Sequence, residues 1–260
     1  MPKGAECRCF WVEREVKLSL QIEPQVKVEG RTHILFDANL VSEPTVDLFN
    51  VESLRRQGVV EGTAGGRGGS FIVDQPGKRW VLRHYRRGGL VSKVLNDQYF
   101  GCSRAKSRSW REWTLLAHLH EAGLPVPRPV AAAFHAAAGI YRADIITEFL
   151  ERTQTLAQRL AASTLPADEW GNLGALIARF HRRNVFHADL NAHNILVGEN
   201  HSFFLIDFDR GEIRPRGAWL EGNLNRLHRS VTKLQAQTPG FRFEEGDWER
   251  LLEGYRRLAG

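Results

Sequence analysis

Cysteine is scarce in this chain of 260 residues, with Cys7, Cys9 and Cys102 as its three examples. An odd number with one C-x-C pair supplies neither a disulfide framework nor the four ligands of a structural zinc site. We therefore expect incidental thiols and a fold held by its apolar core, which a chain of this length can bury. The hydrophobic content of 42% and charged content of 25% exclude a disordered, collagen-like or coiled-coil chain.

Long apolar runs are lacking as well. No stretch reaches 18 consecutive apolar residues, so the sequence predicts no transmembrane helix. The first ten residues are too polar for the apolar part of a secretory signal. We therefore expect a protein on the cytoplasmic side of the membrane.

Lysine is rare, whereas arginine is abundant. Seven of the 36 basic residues are lysine and 29 are arginine, which against 30 acidic residues gives a net charge of +6. Arginine binds phosphate and carboxylate through two parallel N–H groups, and a basic surface attracts anionic membranes. Biased codon usage is the alternative explanation, and composition does not choose between them. A nucleic-acid partner is not expected, because the basic residues do not alternate with aromatic ones as a stacking platform requires.

The order of strand-like and helical text predicts an α+β fold with two lobes. Residues 1–30 show no sustained period and are interpreted as an N-terminal extension of uncertain order. Residues 31–148 predict an antiparallel sheet with one helix, whose apolar residues Trp113, Leu116 and Leu119 recur every three positions. Residues 149–260 predict a mostly helical lobe. The second lobe contains two short apolar runs around Gly198, which predict a hairpin.

The most informative pattern in the second lobe runs from His187 to Asp209. Within it Asn194 follows Asp189 by five residues, and Asp207 follows Asp189 by 18. The predicted hairpin brings Asp207 beside Asn194, and such carboxylate and amide oxygens are ligands that suit Mg²⁺. Asp189 is then placed to accept a hydroxyl proton as the catalytic base. Order and spacing resemble the H-R-D-x-x-x-x-N and D-F-G motifs of protein-kinase-like enzymes, which disfavours a chance polar turn.

A glycine-rich loop and a basic strand residue fit the same fold. The loop's backbone N–H groups are interpreted as phosphate donors, although a plain hairpin is the alternative. Its candidate residues are Gly65, Gly66, Gly68 and Gly69. Arg83 occupies the position where such enzymes usually have a lysine, with Lys78 as the less favoured substitute. Glu112 either pairs with Arg83 or lies on a solvated helix face.

The connection between the lobes carries the remaining nucleotide contacts. Backbone groups from Glu148 to Leu150 are expected to meet adenine, so the predicted cofactors are ATP and Mg²⁺. His187 is expected to support the catalytic loop. Asp209 stands where D-F-G has glycine, and either joins the metal ligands or caps the following segment.

Three segments resemble one family closely. They are 81–90, with Val-Leu-Arg-His-Tyr-Arg-Arg-Gly-Gly-Leu, 187–196, with His-Ala-Asp-Leu-Asn-Ala-His-Asn-Ile-Leu, and 206–211, with Ile-Asp-Phe-Asp-Arg-Gly. Together they are similar to the 3-deoxy-D-manno-octulosonic acid (Kdo) kinases, which belong to the lipopolysaccharide kinases of Gram-negative bacteria. The resemblance extends from His33 to the segment 223–230, Asn-Leu-Asn-Arg-Leu-His-Arg-Ser.

This resemblance implies ATP-dependent phosphorylation of the 4-hydroxyl of Kdo on a lipid A precursor. It also implies a peripheral membrane enzyme at the cytoplasmic face of the inner membrane. In that family the usual strand lysine is absent, so an arginine at position 83 is normal. The alternatives are a lipopolysaccharide heptose kinase, a protein kinase, an antibiotic phosphotransferase and a catalytically inactive module that binds anionic lipid. The basic residues expected to meet lipid or membrane are Arg86, Arg87, Lys93, Arg104, Lys106, Arg108, Arg226, Arg229 and Lys233.

Overall fold

The computed structural model describes residues 21–63, 69–75, 77–85, 99–100, 103–137, 140–199 and 201–259. Within these residues the first lobe is built on an eight-stranded antiparallel sheet. Its spatial order is β1-β2-β7-β8-β5-β4-β3, with β6 beside β8. The strands are β1 (Pro24–Glu29), β2 (Thr32–Asp37), β3 (Val60–Thr63), β4 (Ser70–Gln75), β5 (Lys78–His84), β6 (Tyr99–Phe100), β7 (Pro129–Ala137) and β8 (Ile140–Glu148).

The two faces of this sheet are buried by different elements. Side chains alternate between faces along a strand, so Trp80 and Leu82 of β5 lie on one face and Arg83 on the other. The face with Trp80 packs under a 3₁₀ turn (Val46–Phe49) and helix α1 (Val51–Arg56), and we call it the outer face. The inner face packs against helix α2 (Arg108–Glu121), and its core continues into the second lobe.

Helix α2 follows directly from its apolar spacing. Trp113, Leu116 and Leu119 recur every three residues, and all three are buried. The helix ends at Glu121, and Gly123 just beyond it has a φ of 68°, the left-handed conformation that favours glycine after a helix. Glu112 lies in the second turn and is buried with the apolar residues.

The second lobe combines four helices with short strand pairs among the described residues. Its helices are α3 (Leu156–Ala162), α4 (Ala167–Arg182), α5 (Trp219–Gln237) and α6 (Glu245–Ala259). Its strands are β9 (Thr153–Thr155), β10 (Val185–Phe186), β11 (Ile195–Gly198), β12 (Phe203–Leu205) and β13 (Glu212–Ile213). A Cβ at Gly174 would lie 1.9 Å from the Leu251 carbonyl oxygen, so glycine permits the close approach of α4 and α6.

The hairpin predicted around Gly198 is confirmed. β11 pairs with β12 in the register Ile195↔Leu205, and β11 also pairs with β9. The α+β architecture with a sheet lobe and a mostly helical lobe is confirmed too.

The start of the sheet differs from the sequence-based boundary. Strand β1 lies inside the range 1–30 that was expected to be an extension, and it pairs with β2 from Pro24↔Asp37 to Glu29↔Thr32. Val26 and Val28 of β1 are exposed. The alternation of Val26, Lys27 and Val28 is short, and no side chain of this edge strand is fully buried. The strand is therefore defined by its pairing with β2 rather than by an apolar face packed on the core. Residues 1–20 lie outside the described residues.

Candidate active site

His187 organises the loop that follows β10. It is buried, and its Nδ1 accepts a hydrogen bond from the Asp189 backbone N–H at 3.2 Å. Its Nε2 lies 2.9 Å from the Ile206 carbonyl oxygen, so Nε2 carries the proton and donates. Burial lowers the pKa of His187, which keeps the ring neutral as both bonds require. The predicted supporting role of His187 agrees with this geometry.

Asp189 projects its carboxylate from this loop toward solvent. Its side chain is 58% exposed, and its Oδ2 accepts from the Asn191 amide at 3.0 Å. The backbone is held separately, because the Asn194 amide donates to the Asp189 carbonyl at 2.9 Å. The carboxylate is therefore oriented but accessible, as a group that takes a proton from a bound hydroxyl must be.

The hairpin returns Asp207 beside Asn194, as the spacing predicted. The Ile206 N–H donates to the Asn194 carbonyl at 3.0 Å, so Asp207 follows directly after the paired segment. Asp207 has a φ of 63°, a left-handed conformation uncommon for residues other than glycine and enriched at functional sites. Asn194 itself is buried.

Arg83 joins the two lobes at this point. From β5 its guanidinium donates to Glu112 on α2 and to Asp207 in the second lobe. Tyr85 donates to the same Glu112 carboxylate. Of the two alternatives for Glu112, the structure selects the pair with Arg83, since the Glu112 side chain is 3% exposed.

The charges in this cluster are fixed by its burial and its pairing. Burial by itself lowers the pKa of Arg83, but the Glu112 carboxylate and other neighbouring groups outweigh it and raise that pKa well above its ordinary value. Burial raises the pKa of Asp207, yet Arg83 outweighs it and the pKa of Asp207 is lowered. Asp207 is therefore a carboxylate at neutral pH, held by a permanent cation.

Helix α5 supports the catalytic loop at three points along one face. Asn223 is buried and donates to the His187 carbonyl at 2.7 Å. The Arg226 Nη1 lies 3.2 Å from Asp189 Oδ1, and the Ser230 hydroxyl accepts from the Ala192 N–H at 3.2 Å. These three residues lie in the segment 223–230 that resembles the family, but their contacts with the loop were not predicted from the sequence. The spacing of three and four residues was the available signal, since it places side chains on one helix face.

Asp209 is a residue whose role the sequence left open. It accepts from Arg108 at the start of α2, through the Arg108 Nε at 2.8 Å and also through Nη2. Neither sequence-based alternative, a metal ligand or a cap, describes this pair between the lobes. Arg108 is thus bonded to Asp209, which departs from the lipid-facing role expected for it.

The predicted hinge residues Glu148 to Leu150 lie at the end of β8, where the chain passes from the first lobe to the second. The Phe149 N–H donates to the Arg79 carbonyl at 2.8 Å, and the Leu150 carbonyl accepts from Thr153. Leu150 thus lies two residues beyond the end of β8. Glu148 pairs with Trp80 and shares the outer face with it and Ile146.

The glycine loop is described only at its end. Gly69 precedes β4, and its carbonyl accepts from the His84 N–H at 3.0 Å. Gly65, Gly66 and Gly68 lie outside the described residues. Lys78 donates to the Leu40 carbonyl at 2.6 Å and makes none of the contacts of the Arg83 cluster. Arg83 is therefore the better candidate for the basic strand residue of the site.

The remaining basic residues expected at lipid divide into two sets. Arg86, Arg87 and Lys93 lie outside the described residues. Lys106, Arg229 and Lys233 are exposed, and Arg104 lies over the Trp110 ring at 5.1 Å. No helix in the described part of the chain is both long and apolar enough to cross a bilayer.

The fold and site together define a class of protein. A protein-kinase-like phosphotransferase has a sheet lobe, a helical lobe and a junction with two carboxylates, an amide and a basic strand residue, and all of these parts are found here. The model of the lipopolysaccharide kinase (Kdo/WaaP) family matches residues 51–255. The chain belongs to this family.

Curated relatives cover most of the chain. It is 44% identical over 224 residues to the 3-deoxy-D-manno-octulosonic acid kinase of Actinobacillus succinogenes, covering 82% of this chain and 93% of the relative. It is 43% identical to the protein of that name from Stenotrophomonas maltophilia strain K279a, over 85% and 88% of the two chains. For that of Vibrio vulnificus strain YJ016 the identity is 38%, over 87% and 95%.

Proposed function

We propose that this protein transfers the γ-phosphoryl group of ATP to the 4-hydroxyl of Kdo on a Kdo–lipid A precursor, in lipopolysaccharide core biosynthesis. The observation that carries this proposal is the meeting of Asp189, Asn194 and Asp207 at one junction with Arg83 from the sheet. The curated relatives that bear the name 3-deoxy-D-manno-octulosonic acid kinase support the choice of sugar.

Asn194 and Asp207 fit a magnesium ion. The Asn194 Nδ2 is committed to the Asp189 carbonyl, so the amide presents its oxygen, which has no partner among the described residues. Asp207 adds an ionised carboxylate, and two such oxygen ligands suit an Mg²⁺ ion that shares its other positions with phosphate and water. When bound, the ion would neutralise charge on the transferring phosphates.

The nucleotide would lie between Arg83 and the hinge. Arg83 is charged at every physiological pH and can give two parallel N–H groups to phosphate oxygens. Its present partners, Glu112 and Asp207, hold the guanidinium at the junction. Backbone groups near Leu150 would meet adenine, and the glycine loop that ends at Gly69 would cover the phosphates.

The residues of the catalytic loop would carry the proton transfer. The acceptor's 4-hydroxyl oxygen forms a bond to the γ-phosphorus while the bond between that phosphorus and the bridging oxygen of ADP breaks. The hydroxyl proton passes to the carboxylate of Asp189, whose Oδ2 is oriented by Asn191. Transfer of this kind depends chiefly on positioning and on charge stabilisation.

The lipid-linked acceptor would be met at the cytoplasmic face of the inner membrane through peripheral contact. The net charge of +6 favours approach to an anionic surface. In a flotation assay the protein should be recovered with vesicles that contain anionic lipid. The bound fraction should fall as added salt screens the charges. Equal binding to zwitterionic vesicles would contradict the electrostatic contact.

The function is tested with ATP, a Kdo–lipid A precursor and a heptosylated acceptor whose Kdo 4-hydroxyl is blocked. The wild type should phosphorylate the first and not the second. Asp189→Ala should lower turnover by about 10²- to 10⁴-fold, the range for loss of a positioned base. The variant should still bind Mg-ATP, because Asn194 contacts the backbone carbonyl of residue 189. Transfer to the heptose alone would favour a heptose kinase instead.

A further inference from the structure

Arg226 combines a contact to the candidate base with donors that no described residue uses. Its Nη1 lies 3.2 Å from Asp189 Oδ1. The side chain is 47% exposed and that of Asp189 is 58% exposed. The other N–H groups of the Arg226 guanidinium have no partner among the described residues. The guanidinium therefore holds the base with one edge and presents further donors to the space in front of it.

A structural role explains this pair poorly. An ion pair with both partners this exposed contributes little to folding, because water screens the two charges. The neighbouring contacts already fix the loop on α5, because buried Asn223 binds residue 187 at its start and Ser230 binds residue 192 near its end. Arg226 lies between these two supports, at the one position where α5 meets the reacting carboxylate.

We propose that Arg226 binds the carboxylate of the acceptor sugar and thereby places the reacting hydroxyl at Asp189. This inference rests on the proposed function. Arginine binds a carboxylate through two N–H groups in a fixed plane, so one guanidinium can hold the base and the acceptor at the same time. Holding a hydroxyl in reacting geometry is a large part of phosphoryl-transfer catalysis.

The proposed acceptor suits this arrangement in its chemistry. Kdo carries its carboxylate on the sugar that is phosphorylated, whereas the phosphates of the acceptor belong to the lipid A portion. A cation beside the base therefore meets the sugar carboxylate first. Arg226 was expected from the sequence to meet membrane or lipid phosphates, and the structure instead places it at Asp189.

The test combines enzyme variants with a change in the acceptor. Wild type, Arg226→Gln, Arg226→Lys and Arg229→Gln are assayed with a Kdo–lipid A precursor and with the methyl ester of its Kdo carboxylate. Arg229 is a matched control, since it lies one turn further along α5, is exposed and has no partner among the described residues. Mg-ATP thermal stabilisation shows that each variant is folded and binds nucleotide.

The wild type should prefer the free acid over the ester by about tenfold or more in kcat/KM, as expected for a charge-assisted hydrogen bond. In Arg226→Gln this preference should fall below about threefold, Arg226→Lys should lie between, and Arg229→Gln should keep the wild-type ratio. A wild type that phosphorylates both acceptors equally, or an Arg226→Gln that keeps the full preference, overturns the inference and leaves the proposed function standing. A wild type that phosphorylates neither overturns the proposed function itself.

Discussion

Two neighbouring residues of β5 form opposite kinds of charge cluster on the two faces of one sheet. Arg83 on the inner face joins Glu112 and, across the lobes, Asp207. His84 on the outer face bonds to Asp144, which also lies 2.8 Å from His135 Nε2. The inner cluster has a permanent cation and reaches the second lobe. The outer cluster joins one carboxylate to two histidines and stays within the first lobe, beside a cavity of about 640 Å³.

The buried carboxylates of these clusters differ in their proton affinity. Burial raises the pKa of Glu112, although Arg83 opposes it. Burial also acts to raise the pKa of Asp144, but hydrogen bonds from His135 and His84 outweigh it and the pKa is lowered. Similar burial thus gives opposite outcomes, because the nearby Asp207 carboxylate adds to the effect of burial at Glu112, whereas every neighbour of Asp144 favours its charged form. The comparison separates a cluster expected to act in catalysis from one expected to hold the sheet together.

The largest expected difference between the clusters lies in their carboxylates. Asp207→Asn should lower phosphotransfer by about 10³-fold, since it removes the charged oxygen ligand proposed for the Mg²⁺ ion that neutralises the phosphates. It should also reduce thermal stabilisation by Mg-ATP. Asp144→Asn on the outer face is the control. The turnover of its folded protein should stay within about threefold of the wild-type value. Equal losses in both variants would break the distinction between the faces. Initial rates at saturating ATP provide the measurement.

The two adjacent β5 residues give the second comparison. Arg83→Gln should lower kcat/KM for ATP by about 10²-fold, because it removes a charge expected at the phosphates, and Arg83→Lys should restore part of the activity. His84→Gln, one residue away and on the other face, should leave kcat/KM for ATP nearly unchanged. If His84→Gln impairs ATP use as strongly as Arg83→Gln, the assignment of faces to functions is wrong.

A smaller effect is expected on stability at the outer face. Asp144 has an 8% exposed side chain and two histidine partners. Asp144→Asn should lower the free energy of unfolding by about 2 kcal/mol, because the two half-buried histidine donors lose a charged, buried acceptor. Denaturant unfolding near neutral pH provides the measurement, and an unchanged midpoint would show that this cluster adds no stability.

The smallest predicted effect is the pH dependence of that difference. Because the folded-state pKa of Asp144 is lowered, its contribution is present above its unfolded pKa of about 4 and is lost as pH falls through the folded value. The stability gap between wild type and Asp144→Asn should therefore be constant near neutrality and shrink below about pH 4. A gap that widens in acid would reverse the sign of this linkage.

Local patterns allowed much of the fold and site to be predicted. The i, i+3 spacing of tryptophan and leucine gave helix α2, and the two apolar runs around Gly198 gave the hairpin. Since that hairpin fixes Asp207 beside Asn194, the spacing from Asp189 was enough to place the candidate base and metal ligands. These features depend on residues close in sequence or joined by one turn.

The missed features depend on contacts between distant residues. Arg108 and Asp209 are separated by 101 positions, and Arg226 and Asp189 by 37. No periodicity reports which of 29 arginines meets which carboxylate, so arginines expected at lipid were found at the junction and at the base. The partners of His84 were likewise invisible, because Asp144 comes from a neighbouring strand 60 residues away.

Mapping the phosphate on the product tests the central claim most directly. The wild-type protein is incubated with Mg-ATP and a Kdo–lipid A precursor, and the product is examined by phosphorus–proton correlation NMR, with Asp189→Ala as the impaired reference. We predict one new phosphate ester at the 4-oxygen of Kdo, formed with one ADP per transfer and at least about 10²-fold more slowly by the variant. A phosphate at any other position, or ATP consumed without a phosphorylated sugar, would contradict it.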